Sequence, residues 1–395
     1  MTAEAGQFVA LGDLHLSRLI YSGLPNMVGD GEFALKQFAD YCIASEIRDA
    51  IFLGDNLDAR FSPPDVLHVF FEHVGRMLSA GTSIHVLQGQ HCRHMTIPIP
   101  LIADGLWTGD AKLNSAHERC MSLGGISVYG LDWTPKTNLR EAIERVSPEA
   151  EVFCGHQLIR QVLNIGKEED EDRCWDLDLG WLPDSIKLAL MADWHGRPQE
   201  GEFGELRWVY TGSATLRSIS EPVKKSFVRV FREEDSLAIE RIPLKTRPYY
   251  YSDIMCADEL ERWLDGVVDI ATQGREEALQ NGIPEVVASP LFAVRYNVTI
   301  PGGYDKINTR VSDLTGQSLA HFHLLPNRSF VVDAPDYAAI GEDVSLEAAI
   351  GELVDKEVCP ELFRLVTDLA VAPDPSEEIQ AYKQRNGVFD DPTSI

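Results

Sequence analysis

Short apolar runs, separated by polar or helical stretches, set the rhythm of the first half of the chain. Phe8 to Leu11, Ala50 to Leu53, Ser83 to Leu87, Ile126 to Leu131, Val152 to Cys154 and Leu188 to Ala192 are β-rich, and they end against Gly, Asp or His. Between the first two, Phe33, Ala34, Leu35, Phe38, Cys42 and Ile43 recur at helical spacing, which predicts a crossover helix. A second helix is predicted after Pro63 and Pro64, where Val66, Leu67, Phe70, Phe71 and Val74 make one apolar face and the prolines suit a helix start. Buried strands alternating with helices predict an α/β unit.

From Leu206 the strands follow one another directly: Trp208 to Tyr210, Phe227 to Phe231, Leu237 to Ile242. They are placed to close the sheets of the first unit. Beyond Arg247-Pro248-Tyr249 the pattern changes to a helix over 257–277, a strand from Phe292 to Ile300 and another around Ser318 to Leu325, a small α+β domain. Leu346, Ala349, Ile350 and Leu353, then Leu362, Phe363, Val366 and Leu369, again have helical spacing. A helical pair that cannot bury itself alone docks on something. The expected divisions are 1–245, 246–344 and 345–395.

A chain of 395 residues exceeds one ordinary core and suits two or three packed units. Its 35 Lys+Arg against 62 Asp+Glu give a net charge of -27, a field that repels phosphate polymers and, taken alone, argues against nucleic acid. Hydrophobic residues at 44% and charged residues at 25% exclude a mostly disordered chain. Met-Thr-Ala-Glu-Ala-Gly-Gln at the start has no basic region and no long apolar segment, so a cytoplasmic protein with no membrane contact is expected. Seven scattered cysteines lack the paired spacing of a zinc knot or a disulfide framework; reduced thiols, mostly in the core, are expected. The acidic run Glu168 to Asp172 reads as a solvated loop.

The Asp and His residues fall in a pattern of their own. Asp13 and His15 follow the first apolar run in Gly12-Asp13-Leu14-His15; Asp55 and Asp58 follow the second in Gly54-Asp55-Asn56-Leu57-Asp58; Gln90 and His91 follow the third. His156 follows the fifth, and Asp193 and His195 the sixth. Carboxyl ends of strands in α/β sheets open into the ligand crevice, so five segments deliver carboxylates and imidazoles to one edge. An Asp-x-His alone is weak evidence, whereas its ordered recurrence after successive strands is strong. In an extended chain Asp13 and His15 point to the same side and can reach one metal. Mixed carboxylate and imidazole ligation suits Mn²⁺, Zn²⁺ or Fe²⁺.

The order Asp-x-His, Gly-Asp-x-x-Asp, Gly-x-His, Gly-His and x-x-His-Gly resembles the calcineurin-like metallophosphoesterase superfamily, and within it the SbcD-type DNA-repair nuclease subunits. Tyr210-Thr211-Gly212-Ser213 followed by Phe227-Val228-Arg229-Val230 is similar to the strand that closes that family's phosphoesterase domain. The resemblance implies a four-layer α-β-β-α sandwich (1–245), an α+β DNA-contacting cap (246–344) and a helical partner-binding tail (345–395). It also implies two divalent ions, with Mn²⁺ favoured and Mg²⁺ the alternative. One would be held by Asp13, His15 and His195, the other by Gln90, His156 and Asp193, with Asp55 between them. His91 would act on the phosphate or the leaving oxygen as a catalytic group, and Asp58 would orient an imidazole. The implied activity is that of a metal-dependent DNA exonuclease or endonuclease, homodimeric, acting on ends or single strands beside an SbcC-like coiled-coil ATPase bound by the C-terminal helices.

Two positions depart from the family. Gln90 stands in place of Asn, and Asp193 in place of the first His of a His-x-His pair, both on the second metal. Gln puts its amide oxygen on a longer arm; Asp193 raises the carboxylate count, which favours Mn²⁺ or Mg²⁺ over Zn²⁺. A retuned second site and a weakened one both remain open, as do a small-molecule phosphodiesterase or phosphatase and a non-catalytic scaffold. Arg18, Arg60 and Arg93 follow ligand motifs and are candidates for phosphate contact, and His94, His321 and His323 for substrate contact. His68, His73 and His85 are assigned to packing or surface.

Overall fold

A computed structural model describes residues 6–17, 24, 27–58, 62–91, 110–163, 175–197, 199–218, 221–234 and 236–327. The chain begins with β1 (Gln7–Leu11), α1 (Asp30–Ala44), β2 (Asp49–Leu53), α2 (Pro64–Ser79), β3 (Ser83–Leu87), β4 (Leu113–Ser115), β5 (Arg119–Leu123) and β6 (Ile126–Leu131). Next come α3 (Lys136–Ile143), β7 (Val152–His156), α4 (Arg160–Leu163), β8 (Leu188–Ala192), β9 (Glu200–Phe203), β10 (Leu206–Tyr210), β11 (Lys225–Glu233) and β12 (Ser236–Leu244).

These strands make two six-stranded sheets, ordered β12-β11-β1-β2-β3-β4 and β5-β6-β7-β8-β10-β9. Alternation along each strand sorts the layers. Phe8, Ala10, Ile51 and Leu53 of the first sheet meet Val128, Val152, Cys154 and Leu190 of the second in a core between the sheets. Val9, Leu11, Ala50 and Phe52 point the other way, onto Leu35 and Phe38 of α1 and Phe70 and Val74 of α2. Tyr129, Phe153 and Ala189 likewise face Leu139 and Ile143 of α3. Strands buried on both faces read as continuous apolar runs, and the expected four-layer α-β-β-α sandwich is what forms.

A third, parallel sheet follows: β13 (Tyr249–Ile254), β14 (Leu291–Asn297) and β15 (His321–Asn327) in that order. Its crossovers carry α5 (Ala257–Gln280), α6 (Glu285–Ala288) and α7 (Gly303–Gly316). Leu260, Val267 and Ala271 of α5 and Ile307 and Leu314 of α7 share a core with Phe292, Val294 and Phe322. This part joins the sandwich through Phe33 of α1, which packs with Ala278, Ile283 and Val287. Beside it the buried Arg247 donates to both carboxylate oxygens of Asp30, at 3.0 and 2.6 Å, and to the Ser289 carbonyl at 2.7 Å.

Several elements were not legible in the apolar pattern. β5, β9 and α7 are short of buried residues, and β14 stops at Asn297, three residues before the expected end. The described cysteines are free thiols, but Cys120 and Cys256 are exposed and only Cys42 and Cys154 are buried, so the expectation of mostly core cysteines fails for half of them. Cys120 lies on the edge strand β5, whose outer face meets solvent. The tail 345–395, the end of the second division (328–344), the run Glu168 to Asp172, and Arg18, Arg60, Arg93 and His94 lie outside the described residues. Among the described residues no helix is long and apolar enough to cross a membrane.

Candidate metal centre

The parallel strands β1, β2, β3, β7 and β8 bring their carboxyl ends to one edge, and the loops leaving them carry the cluster. The two sheets meet there directly: His156 at the end of β7 sets its Nδ1 2.8 Å from the Leu53 carbonyl at the end of β2. Gly54 has φ +107° and Gly89 sits against Asp55; a Cβ on the first would collide with the His156 ring, and on the second with the Asp55 carboxylate. Both glycines permit the close approach that the cluster needs.

Asp13 and His15 are not extended. Their φ values are +48° and +44°, Asp55 has +43° and Asp193 +90°, so four candidate ligands occupy the left-handed region that costs an L-residue of order 1–3 kcal/mol each. The turns are held in place: the His15 amide donates to the Asp55 carbonyl at 2.7 Å and the Asp13 amide to the Gly54 carbonyl at 3.3 Å. Both side chains reach the cluster through this interlocked pair of turns, not through strand alternation.

Within the cluster His195 Nε2 lies 3.1 Å and His15 Nε2 3.7 Å from Asp13 Oδ1. Asp55 Oδ2 lies 3.3 Å from His156 Nε2 and 3.9 Å from the Nε2 atoms of both His15 and His91. Asp193 Oδ1 is 3.9 Å from His156 Nε2 and accepts from Gln90 Nε2 at 2.7 Å. All seven candidate ligands are thus brought together, with Asp55 between the two sets. His91 sits at the mouth, 45% exposed, its backbone N–H donating to Asp55 Oδ1 at 3.0 Å.

Each inward-facing imidazole is held from behind. His15 Nδ1 is 3.2 Å from Asp58 Oδ1, which also accepts from Arg217 Nη2 at 2.8 Å. His156 Nδ1 faces the Leu53 carbonyl, and His195 Nδ1 is 3.2 Å from Glu221 Oε1. An acceptor behind Nδ1 fixes the tautomer that turns the Nε2 lone pair inward, the arrangement metal-ligating histidines use. Asp13 Oδ1, His15 Nε2, Asp55 Oδ2, Gln90 Oε1 and His156 Nε2 are all buried without a hydrogen-bond partner. Buried polar atoms are ordinarily satisfied; five orphans in one cluster, all of ligand type, fit a bound cation. Triads drawn from Asp13, His15, Asp55, His91, His156 and His195 have their ligand atoms within 4.8 Å of one another.

The electrostatics follow from the crowding of buried carboxylates and imidazoles. Burial disfavours a charged imidazole, yet the Asp55 and Asp13 carboxylates raise His156 to about 10, and Asp13 and Glu221 raise His195 to about 10. Burial lifts Asp193 to about 6. Burial also works against the Glu221 charge, but His195 and Lys225 Nζ, 2.6 Å away, hold it down at about 2.

Glu221, Arg217 and Lys225 were not singled out in the sequence. They lie in and just after a loop with no motif, and only the fold carries them to His195 and Asp58. His85, expected to be partnered, is 3.3 Å from Asp49 Oδ1; His68 is exposed, and His73 is buried beside Arg76.

No protein-family model matches the chain, and no curated protein matches it. Among solved structures, it is similar to TT1561 of Thermus thermophilus (10% identity, TM-score 0.39, covering 60% of this chain and 99% of that one). It is also similar to a dimetal phosphatase from Danio rerio (11%, 0.37, 61% and 97%) and to Chaetomium thermophilum Vps29 (12%, 0.29, 61% and 99%). At these values the likenesses add nothing to what the two sheets and the cluster establish by themselves.

Proposed function

We propose that the protein is a metal-dependent phosphodiester hydrolase with a two-ion centre, and that its substrate is DNA. The observation that carries the hydrolase reading is the set of five orphaned, buried ligand atoms at the shared edge of the two sheets. One ion would be held by Asp13, His15 and His195, the other by Gln90, His156 and Asp193, with Asp55 serving both. Bound there, such ions supply Lewis-acid activation of water and neutralise charge on a phosphate.

The chain's own groups do the rest. Leu53, Asp58 and Glu221 keep three imidazoles in one tautomer and one orientation. His91, at the mouth, donates a proton or hydrogen bond to the phosphate or the leaving oxygen. Gln90 Nε2 holds Asp193 Oδ1 and leaves Oε1 facing inward, so the two departures from the family act as a pair that supports a retuned second site.

DNA as substrate rests on the resemblance of the motifs and on the α+β part after the sandwich, which a minimal phosphatase does not need. Homodimerisation, an SbcC-like ATPase partner bound through 345–395, and a cytoplasmic location belong to the same proposal. Mn²⁺-dependent degradation of linear DNA should vanish in Asp55→Asn and fall at least about a hundredfold in His91→Ala, as expected for a lost proton donor. Full activity in Asp55→Asn overturns the hydrolase reading. Turnover of a chromogenic diester without cleavage of DNA, tested with an SbcC-like partner present, overturns only the choice of substrate.

A further inference from the structure

A groove of about 710 Å³ runs between the edge strands of the two sheets, lined by Arg197, Gln199, Glu200, Lys224, Arg241 and Pro243. Strand register places it on the same edge as the metal cluster. Glu200 is level with Val209, and Val209 with Leu190, so from Glu200 back to Arg197 the chain runs from the middle of β8 to just past its end; Val228 is level with both Ala10 and Arg241, so Lys224, Lys225 and Pro243 lie beyond the end of β1. β9 and β12, which flank the groove, are the outermost strands of their sheets. The inner wall is Lys225, whose partner Glu221 also holds His195.

Charge sets this groove apart from a protein of net charge -27. Its carboxylate, Glu200, is paired with Arg207 at 3.1 Å, and Lys225 is paired with Glu221. Arg241 donates to the Gln199 and Tyr210 carbonyls at 3.2 and 2.8 Å, and Glu200 offsets part of its charge. Arg197 and Lys224 are exposed and, among the described residues, have no ion-pair partner. Two cations without an ion-pair partner therefore line a trough on the same edge of the sandwich as the candidate metal centre.

We propose that this groove is a binding subsite for the phosphates of a single nucleic-acid strand that flank the one undergoing hydrolysis, with Arg197 and Lys224 as its phosphate-contacting residues. The proposal rests on the hydrolase reading for its role. Its volume lies within the range of pockets that hold small ligands, enough for a few atoms of backbone and sugar but not for a duplex. Arg197 follows β8 of one sheet and Lys224 precedes β11 of the other, so successive phosphates of a repeating anion could each meet one of them.

Binding of a fluorescein-labelled oligothymidylate to the full chain, followed by anisotropy in EDTA, tests the groove without turnover. Arg197→Glu combined with Lys224→Glu should weaken binding at least tenfold and flatten the slope of log K against log salt by about 1.4, the value for two lost contacts to a single strand. Lys187→Glu, on the opposite edge just before β8, should leave both unchanged. Equal affinity and slope in the double variant, an equal loss in Lys187→Glu, or a wild-type chain that binds no oligothymidylate at low salt each overturn the subsite. Turnover of a chromogenic diester by the wild-type chain tests the hydrolase reading separately. If the wild-type chain lacks that turnover, the hydrolase reading fails while the binding result still decides the groove.

Discussion

At the scale of single residues, the cluster stores its readiness for a cation as protons. With His156 and His195 raised to about 10 by the surrounding carboxylates, both are protonated at neutral pH without metal, and a ligand must be neutral to coordinate. Their folded values lie above the unfolded one, so this pairing stabilises the metal-free protein fully below about pH 6.5 and the contribution is lost as pH rises through about 10. Metal affinity runs the other way, climbing with pH as the protons leave. Calorimetry of Mn²⁺ binding near pH 7 in two buffers of different ionisation enthalpy should register release of at least one proton per chain; none released would contradict it. Glu221→Gln keeps the size of the side chain but removes its charge behind His195, and should weaken metal binding by about 10- to 100-fold, read by the same titration. The gathering of these residues at one edge was legible because Asp and His recur after successive apolar runs. Glu221 and Arg217 were not, because nothing within a few residues of them marks a contact made across the fold.

At the scale of elements, the sandwich was legible wherever a strand is buried on both faces. β1, β2 and β8 each carry an unbroken apolar run, and β3 and β6 carry one interrupted by His85 and by Ser127, while β5 and β9, at the edges, have no such signature. The reason expected for pairing Asp13 with His15 was strand alternation; two left-handed turns hydrogen-bonded to each other do the job, and a left-handed Asp or His leaves no trace in hydrophobic pattern. Those turns make Gly54 intolerant. Gly54→Ala combines a positive φ with a collision on His156, and should cost about 1–3 kcal/mol in urea denaturation together with a loss of metal affinity. The junction of α1 with the third sheet carries a different load. Burial pushes the Asp30 carboxyl upward while Arg247 beside it pulls the other way. Asp30→Ala strands the Arg247 guanidinium in the interior, and should cost about 3–5 kcal/mol, measured by the midpoint of chemical unfolding at constant m-value. A cost within about 0.5 kcal/mol of zero, a surface-like value by ordinary expectation, would show that water reaches Arg247.

At the scale of the whole molecule, the proposed ions would couple to the fold through the span of the site, since its candidate ligands run from Asp13 to His195 across both sheets. Free Mn²⁺ at a hundred times its dissociation constant should stabilise the chain by about 2.7 kcal/mol, visible as a Tm that rises with metal and falls back with EDTA. A Tm indifferent to Mn²⁺, Mg²⁺ and EDTA would leave the cluster as a purely structural network. Against a net charge of -27, Arg197 and Lys224 are two exposed cations without an ion-pair partner among the described residues, in a trough on the same edge as the candidate metal centre. Nucleic-acid affinity should therefore be weak, local and steeply dependent on salt.

The central position of β1 also sets a schedule. It pairs with β2 almost at once, but its other neighbour is β11, some two hundred residues downstream. At about 5–20 residues per second of synthesis, β1 waits roughly ten to forty seconds for β11 with one edge bare. Glu221, which steadies His195, emerges just ahead of β11, so the candidate cluster and the cover for β1 are completed at nearly the same moment.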